Sequence, residues 1–352
     1  METARKNLSP RTRAGKPYPG SVQTWKVLFV FLVMVVSPFY LFSQACCSGG
    51  VPLGGSLGLG SAESRTLQLL LTYDYNLLND LMDGKELLQD DTRSRTTHAA
   101  MLEVNYGLSS RFSLAALLPF IQQERNIKGF EQGREFTSTR GLGDVVFLLK
   151  YRMLNPASTS GTEWVVGAGP KLPTAHTRHT NNNGLLLPAD MQPGSGSLDG
   201  ILWSFFQRDQ VFSPALSFIS VATYRYSGAN NNYNESQSYR FGNEFQLNMG
   251  MNYNFFINRP MDVFSYLRYR HQGEDLIDGS VFPGSGGQWL YWVPGLAMNF
   301  TPDMSLRLSA AVPVYRKLEG AQLTTTYRFT IALSYAINPK QPVVLVPTDN
   351  PL

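Results

Sequence analysis

The chain has 352 residues, 43% of them hydrophobic and 16% charged, with 30 Lys+Arg against 26 Asp+Glu. The basic excess sits in the first 45 residues, where Arg5, Lys6, Arg11, Arg13, Lys16 and Lys26 face only Glu2; without that stretch the balance is 24 against 25. A chain so balanced gives no electrostatic case for nucleic acid as a partner, and its two cysteines, Cys46 and Cys47, are adjacent and supply no disulfide framework.

The basic N-terminus runs into "VLFVFLVMVV" (27–36). That run is too short for a bilayer span of about 20 residues but has the length of a secretory h-region. Ser43 and Ala45 supply the small residues of a cleavage site before Cys46, so residues 1–45 read as a signal peptide, with a signal anchor as the alternative given the long basic region. A lipobox would make Cys46 a lipid anchor, but Ser43 stands where Leu is usual. Residues 46–64 are rich in Gly and Ser and are expected to form a flexible lead-in.

From 65 to 338 the chain repeats alternating segments of ten to fifteen residues, predicted as twelve strands: 65–77, 95–108, 111–125, 140–153, 162–174, 197–207, 214–227, 238–255, 261–273, 287–300, 304–316 and 321–336. The fourth contains "GLGDVVFLLKYRML" (141–154), whose glycines suggest a phosphate-binding loop. Such a loop needs a third glycine where Val146 stands, and a helix after it. Instead Val145, Phe147, Leu149, Tyr151 and Met153 share one parity, while Asp144, Lys150 and Arg152 share the other, which is the period of a strand. In 238–255, Arg240, Glu244, Gln246, Asn248, Asn252 and Asn254 oppose an aromatic and methionine face. In the last segment Leu323, Tyr327, Phe329, Ile331, Leu333 and Tyr335 oppose Thr324, Thr326, Arg328, Thr330 and Ser334.

Strands of a soluble sandwich average about five or six residues. Longer strands that are apolar on one side and polar on the other suit lipid outside and water inside. The connections alternate long (78–94, 126–139, 175–196, 228–237, 274–286) with short (109–110, 155–161, 208–213, 256–260, 301–303); only the hairpin at Glu319-Gly320 is short on the long side. That alternation, with an even strand count, describes an all-β, transmembrane, antiparallel up-and-down barrel with both ends in the periplasm, twelve strands within a range of ten to fourteen. Aromatics near strand ends, among them Tyr73, Tyr106, Phe112, Phe120, Tyr226, Tyr253 and Trp292, fit interfacial girdles. The tail at 339–352, "PKQPVVLVPTDNPL", holds four prolines and is expected to lie extended.

Three stretches, "GLGDVVFLLKYRML" (141–154), "GAGPKLPTA" (167–175) and "QPGSGSLDGILW" (192–203), resemble the outer-membrane proteins grouped as the meta-pathway phenol-degradation family, often described as transporters. Where that family usually has Gly after Leu-Pro-Thr, this chain has Ala175. The resemblance implies a barrel in the outer membrane of a Gram-negative bacterium, in contact with its lipid, that moves small hydrophobic or aromatic solutes.

Parity points Asp74, Glu103, Asp144, Lys150, Arg152, Lys171, Asp199, Arg225, Arg240, Glu244, Arg268, Arg270, Arg307 and Arg328 into the barrel. Nine of these fourteen are basic, so two readings stand side by side: a permeation path that favours anionic or polarizable solutes, or cross-barrel ion pairs that hold a narrow barrel in shape. His176 and His179 form an H-x-x-H pair in the longest loop without the further ligands a metal site needs. A lipid hydrolase would need a Ser within reach of a His, and neither His98 nor His271 comes with a recognisable Ser partner. No motif calls for a nucleotide, metal or other cofactor. The chain is thus expected to be a passive channel, with a plugged structural or surface-recognition barrel as the alternative and a hydrolase behind both.

Overall fold

The structure is a computed structural model, described here for residues 59–128, 134–256 and 260–338. The expected signal peptide and C-terminal tail lie outside the described residues. In chain order the strands are β1 (Leu67–Asp83), β2 (Glu86–Leu88), β3 (Arg93–Gly107), β4 (Phe112–Lys128), β5 (Arg134–Leu142), β6 (Val145–Leu154), β7 (Thr162–Leu172), β8 (Asp199–Arg208), β9 (Leu216–Tyr226), β10 (Ala229–Tyr233), β11 (Gln237–Arg240), β12 (Glu244–Phe256), β13 (Pro260–Gln272), β14 (Leu276–Ile277), β15 (Ser280–Val281), β16 (Gly287–Thr301), β17 (Met304–Leu318) and β18 (Gln322–Ile337).

Twelve of them, β1, β3, β4, β6, β7, β8, β9, β12, β13, β16, β17 and β18, pair in order as an antiparallel wall, and β18 closes the ring on β1 from Leu67↔Ile337 to Met82↔Gln322. β5 belongs to the same wall. β4 pairs with β5 at Phe120↔Leu142 and with β6 at Leu117↔Val146, so the two form one strand broken at Gly143-Asp144. A Cβ on Gly143 would lie 2.9 Å from Pro119 Cγ, so the glycine of the "GLGD" stretch serves a close approach between neighbouring strands rather than a phosphate.

The alternation of the sequence becomes the two faces of this wall. Large apolar groups such as Leu71, Leu149, Leu202, Trp292 and Phe329 are exposed on the outside, together with the girdle residues Tyr73, Tyr106, Phe112, Phe120, Tyr226 and Tyr253. Short turns, the start of β1 and the end of β18 gather at one end of the barrel, the periplasmic end by the rule for such proteins, and the long connections gather at the other.

Four expectations need correction. Segment 238–255 is not one strand, because Gln237–Arg240 pairs with β10 and β14 and β12 starts only at Glu244. Arg240 therefore stands on β11, off the wall, with its guanidinium 5.4 Å from the Tyr226 ring centre. Leu323, expected to face lipid, is buried against Leu78, next to bulges at Leu77/Leu78 and Leu78/Asp80 that interrupt the β1–β18 register. The described part of the lead-in is not loose: Ala62 is wholly buried, and 59–63 lie in the short-turn mouth. The loop 173–198 is solvated only in part: the half that carries His176 is mostly exposed, whereas from Leu187 to Ser197 the chain is almost entirely buried.

Over the long-loop end, β10, β11, β14 and β15 form a second, four-stranded sheet. Its Tyr239 and Phe241 pack on Ala189, in the short 3-10 turn Ala189–Met191 of the inward loop. Asp275 anchors it, accepting the Tyr239 hydroxyl at 2.6 Å and the Gly242 N–H at 2.8 Å. Burial pushes the Asp275 carboxyl above the usual carboxylate range, against the pull of those two donors, and burial also raises the Tyr239 phenol.

In the wall, β17 pairs with β18 only from Met304↔Tyr335 to Ala311↔Arg328, while its outer part pairs with β16 alone among the described residues. Side chains bridge that seam: Arg316 Nη1 donates to the Thr325 carbonyl at 3.1 Å and pairs with Asp80. Across β13 and β16, Phe264 lies flat on Gly295, where a Cβ would come within 2.2 Å of its ring. Gly295→Ala is expected to displace that ring and cost about 1–3 kcal/mol, as overpacking does. The check is the urea midpoint of the fast-migrating folded band on unheated gels, and an unchanged midpoint would contradict the seat described.

Candidate functional site in the barrel interior

A closed wall in lipid leaves its inner face to be filled by side chains, water or an inserted segment. At the short-turn end the insert is the lead-in. Lys150 Nζ, on β6, donates to the Leu59 carbonyl at 2.7 Å and pairs with Glu103 at 3.0 Å. Arg152, two residues on and so on the same face, donates to the Ser61 carbonyl at 2.7 Å and pairs with Glu63 at 3.0 Å and Glu163 at 3.3 Å. Asn105 Nδ2 donates to the Gly60 carbonyl at 3.1 Å.

At the long-loop end the insert is 187–197. Lys171 is fully buried and lies 2.7 Å from Asp144 and 2.9 Å from Asp199, with the Ser195 hydroxyl in the same cluster. Asp144 accepts the Ser195 N–H at 2.8 Å and the Ala175 N–H at 3.2 Å, and Asp199 accepts the Ser197 hydroxyl at 2.7 Å. Nearer the outer ends of β3 and β5, Arg95 pairs with Asp190 at 2.7 Å, and Thr139 donates to the Met191 carbonyl at 2.7 Å. Ala175 is thus a contact of Asp144 through its backbone N–H, which any residue but proline provides.

The remaining inward charges occupy the C-terminal half of the wall. Glu244 sits between Arg225 and Arg270, each at 3.1 Å, and Arg328 pairs with Asp74 at 2.8 Å. Arg268 donates through Nε to Asn248 at 2.6 Å. Arg307 lies over the Phe264 ring at 5.3 Å.

Between the two inserts the inner face is not uniformly polar. Val146, Leu148, Val165, Ile201, Trp203, Phe205, Phe264, Tyr266, Trp289 and Tyr291 belong to one buried apolar cluster. Cations lie on its rings: Lys150 is 4.5 Å from the Trp203 centroid and Arg270 is 4.8 Å from that of Trp289. The aromatics expected in the girdles lie on the opposite, outer face. The missed signal was parity, because Trp203 and Phe205 share the phase of Asp199, and Phe264 and Tyr266 share that of Arg268 and Arg270. The partners from outside the strands, Glu63, Asp190 and Ser195, carried no such signal.

The loop histidines meet edge to face, with centroids 5.0 Å apart, and burial beside His176 lowers the His179 pKa. Among the described residues no group of three or more His, Cys, Asp and Glu is arranged to hold a metal ion. His98 Nδ1 bonds the Tyr73 hydroxyl at 2.7 Å.

Lys171 neutralises two buried carboxylates at once, which makes it the group whose loss costs most. Lys171→Met is expected to destabilise the barrel by about 3–5 kcal/mol, because a buried charge left without its partner is that expensive. The same variant should expose 187–197 to protease while Asp199→Asn, which leaves one pair intact, protects it. Equal protection in all three proteins would show that the cluster does not hold the loop.

Comparison with known proteins gives the family. Among curated proteins none matches. Among solved structures, the COG4313 outer membrane channel from Pseudomonas putida F1 is similar at 12% identity and a TM-score of 0.62, over 79% of this chain and 97% of that one. The β domain of the Bordetella autotransporter BrkA aligns at 10% identity with a TM-score of 0.45, over 78% and 100%. A Pseudomonas aeruginosa FadL homologue aligns at 10% with a TM-score of 0.39, over 83% and 98%. The family described as "Putative MetA-pathway of phenol degradation" matches residues 79–333. With that match over well more than half of its length and the fold of an outer-membrane barrel, the chain belongs to this phenol-degradation family of outer-membrane proteins.

Proposed function

We propose that the protein is a passive outer-membrane channel for small hydrophobic or aromatic compounds. The observation that carries this reading is the apolar, aromatic belt of the lumen, with Trp203, Phe205, Phe264, Tyr266, Trp289 and Tyr291 on the inner face between two inserted segments. A water-filled pore has no use for such a lining, whereas an apolar solute is stabilised there by about 25 cal/mol per Å² of surface taken from water. Cations held on ring faces favour polarizable guests. The COG4313 neighbour is an outer membrane channel by its description, which agrees with this reading.

The filled mouths favour the second reading, a structural or surface-recognition barrel. The two diverge in living cells, where intact lipopolysaccharide slows entry of the fluorescent probe N-phenyl-naphthylamine. Gram-negative cells carrying the full chain should take up the probe several-fold faster than cells carrying an empty vector. The gain should fall in Trp289→Gln cells with equal amounts of folded barrel. Uptake no faster than the vector control, with the barrel folded in the membrane, would favour the structural reading.

A further inference from the structure

The inward ion pairs do not close everywhere. In the N-terminal half, Lys150, Arg152 and Lys171 each meet one or more carboxylates. In the part walled by β9, β12, β13, β16, β17, β18 and β1, six guanidiniums, those of Arg225, Arg268, Arg270, Arg307, Arg316 and Arg328, face four carboxylates. Of these, Glu244 is shared by Arg225 and Arg270, Asp74 is taken by Arg328, Asp80 is taken by Arg316, and Asp262 bonds Asn254 at 2.8 Å.

Two cations are left over. Arg268 is 4% exposed, yet its one hydrogen bond among the described residues is from Nε to the neutral Asn248, so the two terminal nitrogens have no acceptor there. Arg307 has the Phe264 ring and, among the described residues, no carboxylate within ion-pair distance. A buried guanidinium without a counter-charge costs several kcal/mol, about as much as any single feature of a fold. Arg268 also feels Arg328, which repels it, and Asp74, which attracts it but is already paired with Arg328. Beside these cations stand aromatic faces: Phe264 and Tyr266 are stacked at 4.8 Å, and Tyr291 is opposite Arg268 in the ladder.

A fork of unsatisfied N–H donors next to flat apolar walls is the complement of one chemical class. We propose that this half of the lumen holds a site for a small aromatic monocarboxylate, its carboxylate on the terminal nitrogens of Arg268 near Arg328 and its ring against Phe264 and Tyr266. The guest supplies the missing counter-charge, and the guanidinium fork accepts a carboxylate through two parallel hydrogen bonds. The proposal rests on the channel reading above and narrows it, from hydrophobic compounds in general to those that carry a carboxylate.

The test uses the full chain in lipid nanodiscs and equilibrium dialysis at neutral pH against three matched probes, benzoate, benzyl alcohol and benzylamine, with empty nanodiscs subtracted. Benzoate is expected to bind about tenfold more tightly than benzyl alcohol, the worth of one charge-assisted hydrogen bond, and benzylamine more weakly than either. Arg268→Gln should bring benzoate to the level of the alcohol and leave the alcohol unchanged, and Arg268→Lys should restore part of the preference. Heat-modifiable migration shows that each variant is folded; should Arg268→Gln fail that check, the probe series on the unaltered protein and on Arg268→Lys still decides. Saturable binding of the alcohol with no preference for benzoate would overturn the carboxylate site while leaving the channel standing. Absence of binding by all three would overturn both.

Discussion

Every backbone N–H and C=O within a bilayer must find a partner inside the protein, and the pairing of β18 with β1 is what satisfies that demand here. An open sheet of the same strands would leave two edges of unpaired groups in hydrocarbon. The ladder from Leu67↔Ile337 to Met82↔Gln322 removes both edges, and strand length, alternation and turn placement follow from it. The incomplete β17–β18 seam shows the same constraint at work. Where the ladder stops after Ala311↔Arg328, Arg316 reaches across to the Thr325 carbonyl and to Asp80.

Closure creates a second problem, an inside that must be filled. This protein fills its two mouths with its own chain and fixes each insert with buried cations. Lys150 and Arg152 hold the lead-in at one end, and Lys171, with Asp144 and Asp199, holds the loop at the other. Such pairs add little net stability, since desolvation offsets most of the Coulombic gain, but they fix where each segment goes. Between them the wall turns apolar. A narrow barrel with aromatic lining and occupied mouths is a poor path for hydrated ions and a plausible one for compounds that prefer to leave water.

Much of this was legible in the sequence because a single-layer wall imposes a period of two on every strand. The phase of Asp144, Lys150 and Arg152 against Phe147, Leu149 and Tyr151 identified the strand and placed its glycines outside any nucleotide loop. The period fails where the chain leaves the wall or slips in register. Arg240 alternates in step with Glu244, yet belongs to a hairpin above the barrel, and the bulges at Leu78 bury Leu323. The inserts were not legible at all, because a Gly/Ser-rich lead-in and a Gly/Pro-rich loop look alike whether they are solvated or threaded into a lumen. Inward aromatics were hidden by the opposite problem, since tryptophan and phenylalanine suit lipid as well as a packed interior.

Both mouths are occupied, and Arg152 keeps the lead-in in place. Single-channel conductance of the refolded protein in planar bilayers tests it most directly. The account predicts small or absent ionic currents for the unaltered chain and larger, discrete openings for Arg152→Ala, which frees Ser61 and Glu63. A wide, steadily open pore in the unaltered protein, unaffected by that substitution, would contradict it.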